Sequence, residues 1–345
     1  MNIVHCTFLI LFLSCQQPET RHSPPPEPAF YHWKSTFAPT PADSAVLRET
    51  GVQTLYVRFF DVDWDETTRQ PVPKAAVVFR EKPAVATVVP VVFITNRTLL
   101  NLSPAEVPSL AQKLVQKVAQ LAKDQGIRHH EIQLDCDWTR STRSRYFALL
   151  RAIQQEAKMP LSATIRLHQV KFVAQTGVPP VARGLLMTYN LTDWKRPETR
   201  NSILDLTELR RYTPYLPGYP LPLDLALPLF RWTVVFRNNR VMTLLNNVDR
   251  QTLLTLPALT PQPDSMRFVV ARDTMALGLS LRRGDLLRAE ACSMIDLQRA
   301  KEEILAQLAT QPRTFILYHL DAPVLHAYPS AALKALLSST PHQTP

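Results

Sequence analysis

Apolar residues recur along this chain in two alternating rhythms. Short, nearly continuous apolar runs such as Val88-Val89-Pro90-Val91-Val92-Phe93-Ile94 read as strands buried on both faces. Between them lie longer stretches in which apolar positions return every three or four residues, as in Leu110, Leu114, Val118 and Leu121. The first rhythm predicts strands over 31–34, 54–61, 87–95, 131–137, 161–167, 184–189, 223–229 and 314–320. The second predicts helices over 41–50, 104–125 (with Ser103 as N-cap), 143–158 and 296–310.

Strands and helices alternating in this number point to parallel βαβ units. Eight strands with apolar cores favour closure into a (β/α)8 TIM barrel over an open sheet. One stretch breaks the alternation. Residues 233–295 are too long for a single strand-to-helix step and contain β-like pieces at 232–236, 267–271 and 275–281. We read this stretch as a β-rich insertion late in the barrel. The expected fold class is therefore α/β, a TIM barrel over 30–330, followed by a C-terminal helix and tail over 331–345.

The first residues follow another logic. The run 3–13 is apolar, too short to span a bilayer, and ends Phe12-Leu13-Ser14-Cys15 ahead of a Gln- and Pro-rich stretch. It resembles a bacterial lipobox. Residues 1–15 are then a lipoprotein signal peptide, Cys15 the lipidated residue, and 16–29 an extended Pro-rich tether. The alternative is a plain secretory signal cut nearby. In either case the expectation is an exported protein, and with the anchor one held at the membrane of the bacterial cell envelope, in the periplasm or at the outer membrane.

Composition narrows the chemistry. Only 7 glycines occur among 345 residues, against 30 prolines. No Gly-rich dinucleotide turn, phosphate-cradling loop or Gly-x-Ser-x-Gly nucleophile elbow is present, which argues against classical nucleotide chemistry, and no cofactor is expected. The net charge of +10 suits an anionic partner, but the basic residues are dispersed and not interleaved with aromatics, so no nucleic-acid partner is expected. Of 4 cysteines, only Cys136 and Cys292 lie in the body. No His or Cys cluster has metal-ligand spacing, so no metal is expected. A monomer is expected.

In such a barrel chemistry gathers at the C-terminal strand ends. All five tryptophans, Trp33, Trp64, Trp138, Trp194 and Trp232, fall at or just after predicted strand ends. They either stack on sugar rings or plug the barrel top as core. Acidic residues cluster at the same level: Asp61, Asp63 and Asp65 after strand two, Asp135 and Asp137 at the end of strand four. Period-two geometry aims Asp135 and Asp137 into the mouth together, where two close carboxylates raise one pKa. The competing reading is that arginines such as Arg58 and Arg166 satisfy them. His168, Tyr189 and Asn190 end strands five and six, and His168 is either a proton carrier or structural. Asp224, inside the apolar run of strand seven, must be paired or functional.

Two of these segments together resemble the chitinase-type family 18 glycoside hydrolases. Ile132-Gln-Leu-Asp135-Cys-Asp137-Trp-Thr139 is similar to their fourth-strand Asp-x-x-Asp-x-Asp-x-Glu, and Met187-Thr188-Tyr189-Asn190 to their sixth-strand Met-x-Tyr-Asp. The chain also resembles uncharacterised bacterial glycosidase-like lipoproteins that share this barrel. The resemblance implies a carbohydrate ligand at the barrel mouth. It implies Asp135, Asp137 and Tyr189 as catalytic residues, with Trp33, Asp61, Asp63, Trp64, Trp138, Arg166, His168, Asn190, Asp224 and Trp232 binding substrate. The departures are Ile132 at the first aspartate and Thr139 at the general-acid glutamate, and a hydroxyl cannot protonate a glycosidic oxygen usefully. Either Asp63, Asp65, Glu66 or Asp224 supplies the acid, or the barrel grips a glycan without cutting it.

Overall fold

The computed structural model describes residues 24–264 and 266–338. The run 3–13, Cys15 and the tether as far as residue 23 lie outside them. No helix among the described residues is long and apolar enough to cross a membrane.

Eight parallel strands close into a ring: β1 (Glu27–His32), β2 (Thr54–Asp65), β3 (Thr87–Ile94), β4 (Ile132–Asp135), β5 (Leu161–Arg166), β6 (Arg183–Met187), β7 (Leu223–Pro228) and β8 (Thr314–Tyr318). Each pairs with its sequence neighbours, and β1 pairs with both β2 and β8, which closes the barrel. This is the (β/α)8 architecture that the alternation of runs predicts. Gly184, in β6, is packed under side chains from both neighbouring strands. A Cβ there would lie 2.7 Å from Ile165 Cγ1 and 2.8 Å from Leu223 Cδ2, so a larger residue forces those side chains to shift.

The helices that cover the ring start and stop where their caps dictate. Helix α1 (Pro41–Thr50) opens on a reciprocal cap in which Thr40 Oγ1 accepts from the Asp43 amide and Asp43 accepts from the Thr40 amide. It closes at Gly51, whose φ of 73° is left-handed. After a short helix over Asn96–Asn101, Ser103 opens the long helix as expected, but residues 104–106 wind as a tighter 3₁₀ turn, so regular helix α2 spans Val107–Asp124. Helix α3 (Arg143–Ala157) follows β4, α4 (Met294–Leu305) precedes β8, and α5 (Ser330–Ser338) packs on α1 and β1.

Strands β6 and β8 end two residues before their expected ends, at Met187 and Tyr318, and three further strands depart from expectation, each for a local reason. Strand β1 begins four residues early, because residues 27–29, read as the end of the tether, pair with β8. Strand β2 runs four residues past its expected end and folds back on an outer strand, Gln70–Lys74, as a hairpin above the ring. Strand β4 stops at Asp135, two residues early. Immediately after it Trp138 turns inward, stacks on Tyr146 with centroids 5.1 Å apart and donates through Nε1 to the Thr176 carbonyl at 2.9 Å.

The stretch between β7 and β8 contains strands that stand outside the ring. Five of them form an antiparallel sheet in the order Arg240–Asn246, Trp232–Arg237, Leu286–Glu290, Arg267–Val270, Leu259–Pro261. Val235, Leu253, Phe268, Val270 and Leu287 give that sheet its own small core. Cys136 and Cys292 are separate, buried free thiols.

Candidate functional site

The C-terminal ends of the barrel strands surround a cavity of about 270 Å³. Its walls are largely aromatic: Tyr31 and Trp33 from β1 and its exit, Phe93 from β3, Tyr189 after β6 and Tyr318 at the end of β8. These rings support one another. Tyr189 stacks on Tyr318 at 5.0 Å, and Trp33 meets Tyr31 edge-on and Tyr318 tilted, each at 5.7 Å. Tyr31 is held from below by its hydroxyl, which donates to Gln133 of β4.

Polar groups are set into this wall at defined points. Arg58 and Asp61 are three apart, so strict alternation would put them on opposite faces of β2. A bulge between Arg58 and Phe60 shifts the register and brings both to the cavity. There the guanidinium donates twice to the carboxylate, at 2.6 and 2.5 Å, and lies over the Trp33 ring at 5.7 Å. Asp135, the last residue of β4, lines the cavity floor and accepts from Thr164 Oγ1 at 2.5 Å. Burial is the main force on its carboxyl. With the nearby Asp137 charge it outweighs the Thr164 bond and Arg166, and raises the pKa to about 6.

Asp137 does not join it. Because β4 has already ended, the alternation that would aim both carboxylates inward no longer applies. Asp137 instead stands at the rim, bonded to the Nε of Arg166. Thr139, at the position where the similar family carries its acid, is exposed and bonded to the Ser141 and Thr142 hydroxyls. The proposed pair is thus split: one carboxyl lies in the cavity with no ion pair among the described residues, and the other stands on the rim bonded to Arg166.

Of the other residues singled out from the sequence, Trp33, Asp61, Arg166, Tyr189 and Asn190 line the cavity as expected. Asn190 is carried there by a left-handed turn, φ 56°, as the chain leaves β6. His168 sits just outside, in a small adjoining recess that shares Arg166, Tyr189 and Asn190 with the cavity. Desolvation there lowers its pKa.

The rest are elsewhere, each for a reason that local pattern hides. Asp224 is the second residue of β7 and therefore lies at the opposite, N-terminal end of the barrel. It takes two bonds from Arg183 at 3.0 and 2.9 Å and two from the amides of Arg313 and Thr314. Asp63 belongs to the outer hairpin, and although burial works against its charge, hydrogen bonds from Arg97, Thr95 and the Trp64 amide hold its pKa at about 2. Asp65 caps the hairpin turn through the Thr67 and Thr68 amides, and Glu66 stands exposed beside Arg97. None of these four acids reaches the cavity. Trp64 is buried in the hairpin, Trp138 is fully buried core, and Trp232 lies beyond Phe230 with its Nε1 bonded to Glu290. Sequence reading passes over Phe93 and Tyr318 as wall residues, yet both sit at or next to the last position of an apolar strand, which is the signal that would have found them.

Among the described residues no group of three His, Cys, Asp or Glu side chains could hold a metal ion. A larger recess of about 390 Å³ lies where the inserted sheet meets the barrel. Two of its charged residues, Arg231 and Asp249, already bond each other at 2.8 Å, and no strand end of the ring opens into it.

No family model matches this sequence, and no curated protein does. Solved structures do share its fold. The spore cortex-lytic enzyme SleL of Bacillus cereus superposes with a TM-score of 0.54 at 14% identity, covering 91% of this chain and 74% of that one. A chitinase from Chromobacterium violaceum gives 0.54 at 12%, over 91% of this chain and 100% of that one. A Group IV chitinase from Ostrinia furnacalis gives 0.51 at 10%, over 90% and 98%. The chain thus has a chitinase-like TIM-barrel fold.

Proposed function

We propose that this protein binds a glycan at the C-terminal mouth of its barrel and holds it without acid-assisted hydrolysis. Supporting the binding half is the aromatic wall of Tyr31, Trp33, Tyr189 and Tyr318 around a cavity with a few fixed polar groups, which suits a sugar ring that stacks its C–H face and bonds through its rim hydroxyls. Asp135, half-protonated near pH 6, can both donate to and accept from a hydroxyl there. The structural neighbours, chitinases and a cortex-lytic enzyme, make amino-sugar polymers the first ligands to try.

The observation that carries the second half is the division of the carboxylates. Hydrolysis of a glycosidic bond needs a proton donor at the leaving oxygen and a second carboxylate across the ring. Here the donor position is Thr139, and Asp137 is committed to Arg166. One observation favours a second reading, slow hydrolysis with Asp135 as the acid: a carboxyl with a pKa of about 6 has the property a general acid requires.

We further propose that the protein is exported and anchored to the cell envelope through a lipid on Cys15, a reading supported by the sequence of residues 3–15 alone.

One experiment separates these readings. The purified protein is incubated with chitin oligosaccharides, peptidoglycan fragments and neutral plant glycans, with binding followed by calorimetry and products by mass spectrometry. The expected result is binding to at least one glycan with no product. A product that disappears in Asp135→Asn establishes hydrolysis instead, and no binding to any of them overturns the glycan reading.

A further inference from the structure

The mouth continues sideways over the rim between the exits of β5 and β6. The recess holding His168 shares Arg166, Tyr189 and Asn190 with the main cavity, and its outer wall is Tyr212. Beyond Tyr212 the surface carries an unusual grouping. The Nζ of Lys171 lies 5.4 Å from the ring centres of both Tyr212 and Tyr215 and 5.7 Å from that of Phe172. Phe172 and Tyr215 are each 46% exposed, so part of each side chain stays open to solvent beside the lysine.

The charges along this path are uneven. Arg166 is bonded to Asp137, Arg210 to Glu303 and Arg211 to Glu208, whereas Lys171 donates to a backbone carbonyl, that of Arg211, at 3.4 Å. Among the described residues no carboxylate pairs with it. A cation held among exposed rings can stack a sugar on those rings and still direct hydrogen bonds to an anionic substituent on it.

Resting on the reading of the mouth as a glycan site, we propose that the bound glycan extends from the cavity past His168 onto this platform, and that it is an acidic glycan. The sugar on the platform carries a carboxylate or another anionic group that meets Lys171, with Tyr212, Tyr215 and Phe172 supplying the stacking faces. The positive balance of the chain, 39 Lys and Arg against 29 Asp and Glu, favours the approach of such a polymer.

The test compares tetragalacturonate, which carries a carboxylate on each ring, with neutral chitotetraose and with a sulfated tetrasaccharide, by calorimetry at low and high salt. The expected result is tighter binding of the carboxylate-bearing probe at low salt. Lys171→Met, which keeps the apolar stem, should weaken that probe about three- to fivefold and leave the neutral one unchanged. High salt should remove the difference in the wild type. Tyr215→Ala, whose ring is exposed, should weaken both probes. Preference for the sulfated probe would keep the anionic platform and change the substituent. Equal binding of charged and neutral probes, or a preference surviving in Lys171→Met, overturns the acidic-glycan proposal while leaving the mouth as a glycan site. No binding of any probe overturns both.

Discussion

At the scale of single residues, the outcome turns on Asp135. Its carboxyl keeps its proton in the folded protein up to about pH 6, while in the unfolded chain it ionises near 3.8. Between those values the folded state binds more protons, so this residue makes stability fall as pH rises across the window, by up to about 3 kcal/mol. Asp135→Asn retains an oxygen to accept from Thr164 and has no proton to lose. In urea unfolding the variant should therefore gain on the wild type between pH 4 and pH 7, and a stability difference that stays constant with pH would contradict the buried-acid assignment. Residue identity alone pointed to Asp135, Tyr189, Asn190 and Trp33, because each closes an apolar run at the mouth. It could not tell Asp135 from Asp137, since the two differ only in lying before and after the point where Trp138 pulls the chain out of the ladder.

At the scale of elements, the strands were readable wherever burial on both faces made their apolar runs continuous, as in β3 and β7. Features that depend on a partner strand were not. The bulge near Phe59 that brings Arg58 and Asp61 together leaves no trace in the pattern of β2, because it is set by the offset of that strand against β3. The depth of Asp224 is a similar case. Its place within an apolar run showed that it must be paired, but its partners, Arg183 and the amides of Arg313 and Thr314, come from β6 and from the start of β8. Asp224→Ala should leave glycan binding intact and lower stability by about 3 kcal/mol, since it strands a guanidinium and two amides at the barrel floor. Thermal unfolding with and without ligand separates the two effects, and a loss of binding at temperatures where the variant stays folded would return Asp224 to the site.

At the scale of the whole molecule, the inserted sheet acts on the mouth through a buried charge pair, beside which Arg267 donates to the Pro197 and Thr199 carbonyls. Arg288 and Glu290 are both fully buried. Arg288 donates to the carbonyls of Trp194, Arg196 and Pro197, while Glu290 accepts from the Ser202 amide and hydroxyl. Those contacts fix the loop that follows Asn190, which is itself tied back to Ile203 through its amide at 2.9 Å. Glu290→Gln should leave the arginine without its counter-charge and cost about 3 kcal/mol. It should also open residues 193–202 to proteolysis while the ring stays folded, and resistance equal to the wild type would show that the pair does not hold the loop. The sheet has a second property that its register makes plain. Trp232, where the chain leaves the barrel, pairs directly with Glu290, where it returns, so the two ends stand side by side as antiparallel partners. The ring therefore experiences nearly sixty residues as if they were a single turn. Lengthening or trimming the far end of that sheet leaves the spacing of β7 and β8 to the Trp232–Glu290 pair, whereas Arg288 has to stay for the loop after Asn190 to keep its place.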